Sequence, residues 1–170
     1  MDNTDIRTIL QALGESVPSG SRLVLIGGSA LALLGSPRLT IDIDFVGDDK
    51  HPSELHKTII QAARELKILA EPVPFERVIP LPEGSPERSI RIGQFGNLEV
   101  FVADPYNIAL SKIDRGYDTD LDDVVFLVQH NHVTLGELER ITQEALAKAH
   151  PYDFHPEILA HFQELKNRLN

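Results

Sequence analysis

The chain has no cysteine among its 170 residues, so no disulfide framework, thiol nucleophile or cysteine-based zinc site is open to it. Basic residues are scarce: 16 Lys and Arg stand against 26 Asp and Glu, a formal charge of −10 at neutral pH. Tight, sequence-independent binding of duplex nucleic acid is built from Lys and Arg contacts to phosphates, and this charge argues against it while leaving local RNA contacts open. No apolar run is long enough to span a bilayer, and the opening Met1-Asp2-Asn3-Thr4-Asp5 is acidic where a signal peptide starts basic. The expectation is a soluble, cytoplasmic protein without membrane attachment. Repeats and low-complexity tracts are also missing.

What is present suffices for a proper core, since 42% of the residues are hydrophobic. Asp5 to Glu15 reads as a helix with Ile6, Ile9, Leu10 and Leu13 inward, ended by the stretch from Gly14 to Gly20. Arg22 to Ile26 follows as a short buried strand, and a helix opening at Pro52-Ser53-Glu54 runs to about Leu69. Glu76–Pro80, Ser89–Gly93 and Leu98–Val102 are the next strand candidates. Four helical segments close the chain: Pro105–Asp114, Leu121–His130, Leu135–Ala149 and Pro156–Leu169. The fold class expected is α/β (α+β), a small mixed sheet flanked by helices over residues 1–104, with a helical C-terminal part over 105–170 packed on it as one unit.

The chemistry concentrates in one stretch. Gly27-Gly28 supplies a tight turn between the strand and a helix opening at Ser29, a natural N-cap, and glycine lets the backbone approach a ligand closely. Helix N-termini carry unpaired amides and partial positive charge, so phosphate oxygens are favoured there. Soon after comes Arg38-Leu39-Thr40-Ile41-Asp42-Ile43-Asp44-Phe45. Its period of two sets Ile41, Ile43 and Phe45 in one layer and leaves Asp42 and Asp44 on the other face, about 6.6 Å apart along the strand. Two hard oxygen donors so placed suit Mg²⁺, which is held by one or two carboxylates together with substrate phosphates. Taken singly, an Asp-x-Asp is an exposed polar strand face and a Gly-Gly is a turn; in this order and spacing they point to nucleotidyl transfer.

Gly27-Gly28-Ser29-Ala30-Leu31 followed by Arg38-x-Thr40-x-Asp42-Ile43-Asp44-Phe45 resembles the first motif of the DNA polymerase beta-type nucleotidyltransferase superfamily, and within it the AbiEii-like branch, which includes toxins of toxin–antitoxin systems. The resemblance runs from about Arg22 to Leu127. It implies a third carboxylate on a strand beside the Asp-x-Asp strand, for which Glu99 is the candidate, so that Asp42, Asp44 and Glu99 would be the metal ligands. It also implies catalytic roles for Lys112, Asp120 and Asp123, with Asp120 and Asp123 at i and i+3 on one side of a helix. Here the spacing from Arg115 to Asp120 is longer than in the family, and Thr119 stands where Lys is common. Gly27, Gly28, Ser29, Arg38 and Thr40 would bind the triphosphate.

The function so implied is Mg²⁺-dependent transfer of a nucleoside monophosphate from a nucleoside triphosphate to a hydroxyl of RNA, tRNA included, or of protein, with a cognate antitoxin as partner. The competing expectation is a catalytically silent member of the same fold that binds or regulates. Arg77, Arg88 and Arg91 read as scattered solubilising charge ahead of the alternative, that they border the Asp42-Asp44 face and guide a nucleic-acid end to the metal. His130, His132, His150 and His155 fall at loops or helix ends and are assigned no ligand role.

Overall fold

A computed structural model of the chain describes residues 1–74, 82–150 and 152–170. The expected strand over Glu76–Pro80 and Arg77 therefore lie outside the described residues. The chain divides into two compact units, Met1–Phe75 with Ser89–Ala103, and Glu76–Arg88 with Asp104–Asn170.

The first unit is the α/β part. Helix α1 (Asn3–Glu15) starts at a reciprocal cap, in which the Asp2 side chain accepts from the Asp5 amide and the Asp5 side chain from the Asp2 amide. Its inward residues Ile6, Leu10 and Leu13 are fully buried. Gly14 stays helical, and its role is packing: a Cβ there would sit 1.8 Å from the Phe95 carbonyl oxygen, so only glycine lets the helix meet the sheet at that point.

Five strands form one mixed sheet: β1 (Ser21–Leu25), β2 (Asp42–Val46), β3 (Leu69–Val73), β4 (Ile90–Phe95) and β5 (Leu98–Val102), in the order β3-β2-β1-β5-β4. β2 and β3 run parallel, as do β1 and β5; β1 with β2 and β4 with β5 are antiparallel. Alternation gives the sheet an apolar face, with Leu23, Leu25, Ile43, Phe45, Leu98, Val100 and Val102 all buried. Burying that set stabilises the unit by about 25 cal/mol per Å² of apolar surface. The opposite face carries Arg22, Asp42, Asp44 and Glu99. Helices α2 (Gly27–Leu33) and α3 (Glu54–Glu65) complete the unit.

Two expectations are corrected here. Ile41 is 84% exposed and lies outside the apolar layer, because β2 begins one residue later, at Asp42, and the preceding link is irregular. The helix expected to reach about Leu69 ends at Glu65; Lys67 adopts φ +60°, and the chain turns there into a strand that the sequence did not announce.

The second unit is helical: α4 (Pro105–Arg115), α5 (Asp118–Gln129), α6 (Leu135–Lys148) and α7 (Ile158–Leu169). Asp104 caps α4 by accepting from the Tyr106 amide, with Pro105 at the first helical position, and Gly116 at φ +69° closes the helix. Among the described residues no helix is long and apolar enough to cross a membrane.

Candidate active site

Where β1 ends, Ile26 remains extended and its amide donates to the Asp44 carbonyl at 3.0 Å, which binds the start of α2 to the middle of β2. Gly27, at φ +64°, then turns the chain. A Cβ on Gly27 would fall 2.6 Å from Asp44 Oδ2, and one on Gly28 would fall 2.6 Å from Thr40 Oγ1. The double glycine thus passes directly against the Asp44 carboxylate and the Thr40 hydroxyl, an approach that any side chain would block. The Thr40 hydroxyl in turn donates to Asp42 Oδ1 at 2.9 Å, fixing that carboxylate's orientation. Gly27, Gly28, Thr40, Asp42 and Asp44 are therefore gathered, and the two carboxylates are half-buried on the polar face of β2.

The other expected residues fall differently. Ser29 is fully buried and is no N-cap: α2 begins at Gly27, Ile26 holds the cap position, and the Ser29 hydroxyl turns back to donate to the Ile26 carbonyl at 3.1 Å. Arg38 is exposed on the link between α2 and β2. Glu99 is not brought to Asp42 and Asp44. It pairs with Arg22 across β1–β5, while Asp44 lies beside Ile26 on the far side of β1. At about 3.3 Å per residue and about 4.8 Å per strand, that offset is roughly 16 Å. Arg91 Nε donates to Glu99 Oε1 at 2.6 Å and balances its charge.

A third carboxylate lies elsewhere. Glu71 of β3 is the register partner of Asp44, on the parallel strand next to β2, so the two residues share the polar face at about one inter-strand spacing of 4.8 Å. Asp42, Asp44 and Glu71 thus share the polar face of two neighbouring strands, beside a side-chain-free turn. That donor set fits a small divalent cation of the magnesium kind, and its like charges favour a cation over mutual contact. The sequence reading assigns no element to residues 70–75 and so gives Glu71 no role; the buried Ala70 beside an exposed Glu71 is the available signal.

Lys112, Asp120 and Asp123 meet one another within the helical unit. Lys112 is 3% exposed, and its ammonium donates to Asp120 Oδ1 at 3.0 Å and to Asp123 Oδ2 at 2.7 Å. Arg115 adds a two-pronged pair to Asp120, Nε at 2.9 Å and Nη2 at 2.7 Å. Burial works to raise the Asp120 pKa, but the Arg115 hydrogen bonds and the Lys112 charge outweigh it and hold the carboxyl below its ordinary value. Two cations and two anions cross-link α4 to α5. Arg88 is likewise occupied, with Nε and Nη2 on Asp104 Oδ2 at 2.9 and 2.6 Å.

A family model described as "Nucleotidyltransferase of unknown function (DUF6036)" matches residues 5–169. No curated protein and no solved structure matches the chain.

Proposed function

We propose, for a chain that belongs to this nucleotidyltransferase family, that Asp42, Asp44 and Glu71 are its metal-binding carboxylates. The protein transfers a nucleoside monophosphate from a nucleoside triphosphate to a hydroxyl of RNA. The single observation that carries this reading is the steric one: the Gly27-Gly28 turn leaves no room for a Cβ against Asp44 and Thr40, so backbone and carboxylates border one approach for an anion. Magnesium bound by these carboxylates would neutralise phosphate charge and polarise the reacting oxygens.

The chain's own groups have defined tasks. Thr40 holds Asp42 in one orientation, the glycine turn admits the triphosphate, and the acceptor hydroxyl attacks the α-phosphorus. The new O–P bond forms as the α–β bridge breaks, pyrophosphate leaves, and the hydroxyl proton passes to a carboxylate of this face. RNA is favoured as acceptor by the resemblance to the AbiEii-like branch, which also suggests a toxin acting with a cognate antitoxin in the cytoplasm. Lys112, Asp120 and Asp123 act in this reading as the brace between α4 and α5, since the two carboxylates already hold the lysine's ammonium.

The test is incubation of the full chain with total RNA, Mg²⁺ and each α-labelled triphosphate, beside the Asp42→Ala, Asp44→Ala double variant. Label should enter RNA with the native chain and fall to background with the variant. Undiminished labelling by the variant rejects the site, and no labelling by either protein supports a silent member of the family.

A further inference from the structure

Seven histidines occur in the chain, and two of them, His155 and His161, stand with Glu157 at the start of α7. We propose that His155, Glu157 and His161 bind one divalent transition-metal ion of the zinc class, tying the segment before α7 to the first turn of that helix. Each residue offers one ligand atom, and the three atoms lie within 4.8 Å of one another. Tetrahedral zinc at Zn–N distances of about 2.0–2.1 Å needs ligand atoms about 3.3–3.5 Å apart. The remaining ångström or so is a small swing for His155 and Glu157, both exposed.

The His161 ring is oriented for this. His161 Nδ1 lies 2.9 Å from the Ile113 carbonyl, which only accepts, so Nδ1 carries the proton and Nε2 keeps its lone pair. A carbonyl partner of this kind orients metal-bound imidazoles. The ring also sits where a Cβ of Gly116 would come within 2.3 Å of it, so the left-handed glycine that ends α4 makes its space. His155 is anchored by its amide, which donates to Asp114 Oδ1 at 2.6 Å. Its Nδ1 accepts the Glu157 amide at 3.1 Å, one exposed bond that coordination replaces. The Glu157 carboxylate makes no capping bond to α7, although Glu157 occupies the cap position.

Two imidazoles and one carboxylate form a borderline-soft set, which prefers Zn²⁺, Ni²⁺ or Cu²⁺ and discriminates against Mg²⁺. With three protein ligands the fourth position falls to water. The site thus differs in chemistry from the all-carboxylate cluster of Asp42, Asp44 and Glu71, and an experiment reads the two separately.

The experiment is a Zn²⁺ titration of the full chain in competition with a chelating indicator, in the presence of millimolar Mg²⁺, repeated with Co²⁺ for its visible absorption. One equivalent should bind; His155→Ala or Glu157→Gln should weaken it by about tenfold or more, while His51→Ala and His150→Ala leave it unchanged. The substituted residues are exposed, and circular dichroism checks that each variant is folded. No stoichiometric equivalent in the native chain, or affinity unaltered in both cluster variants, overturns the proposal.

Discussion

Gly27 concentrates the argument at the level of single side chains. Its φ of +60° or so costs a non-glycine residue about 1–2 kcal/mol, and the added methyl would land 2.6 Å from Asp44 Oδ2, so one of the two must move. Gly27→Ala is therefore expected to lower nucleotidyl transfer by about a hundredfold or more through displacement of Asp44, with a loss of only about 1–2 kcal/mol in urea unfolding. Transfer kinetics and unfolding measured on the same preparation check this, and unchanged transfer would show that Asp44 does not depend on the turn. That Gly27, Gly28, Asp42 and Asp44 come together was legible because short-range rules govern them: a strand, a glycine turn and an alternating pair of acids; Thr40 was reached only through the family resemblance. Ser29 was misread because glycine itself proved able to open the helix, leaving the serine hydroxyl to bond back to Ile26.

Between elements, the ion network joining α4 to α5 bears on stability. Lys112 lies between two buried carboxylates, and truncating one partner of a buried ion network leaves charge uncompensated, which costs about 3–5 kcal/mol. Lys112→Met should lose about that much in urea unfolding, because the methionine fills the space and removes only the ammonium. The same network sets an acid limb. Asp120 has its folded pKa below its unfolded value of about 3.9, so its contribution is complete above that pH and is lost as pH falls through the folded pKa. The native chain's unfolding midpoint should therefore fall steeply below about pH 4, and Asp120→Asn should start lower and show a shallower acid dependence. Parallel acid dependences in the two proteins would remove Asp120 as the titrating group. Most elements were readable from periodicity, including all four C-terminal helices to within three residues at either end. The exception, β3, was not: Lys67 is a non-glycine residue in the left-handed region, and no Gly or Pro separates the helix from the strand.

Over the whole sheet, the order of the described strands places Glu71, and not Glu99, on the strand beside that of Asp44. Glu99 sits in a clear alternating strand and invites the role of third carboxylate; Glu71 sits in a short strand interrupted by Pro72, as edge strands tolerate. Only long-range pairing shows that β3 lies beside β2 while β1 intervenes between β2 and β5. Position along the strands adds to this, since Asp44 pairs in register with Glu71 whereas Glu99 lies level with Arg22 and holds Arg91. The most direct measurement is the Mg²⁺-dependent transfer rate of Glu71→Gln beside that of Glu99→Gln, each checked for folding. Glu71→Gln should lose about a hundredfold to a thousandfold in rate, while Glu99→Gln stays within about threefold of the native chain. A Glu71→Gln enzyme that works normally, or a Glu99→Gln enzyme that does not, would contradict the assignment of the acidic cluster on β2 and β3 as the place where nucleotides are transferred.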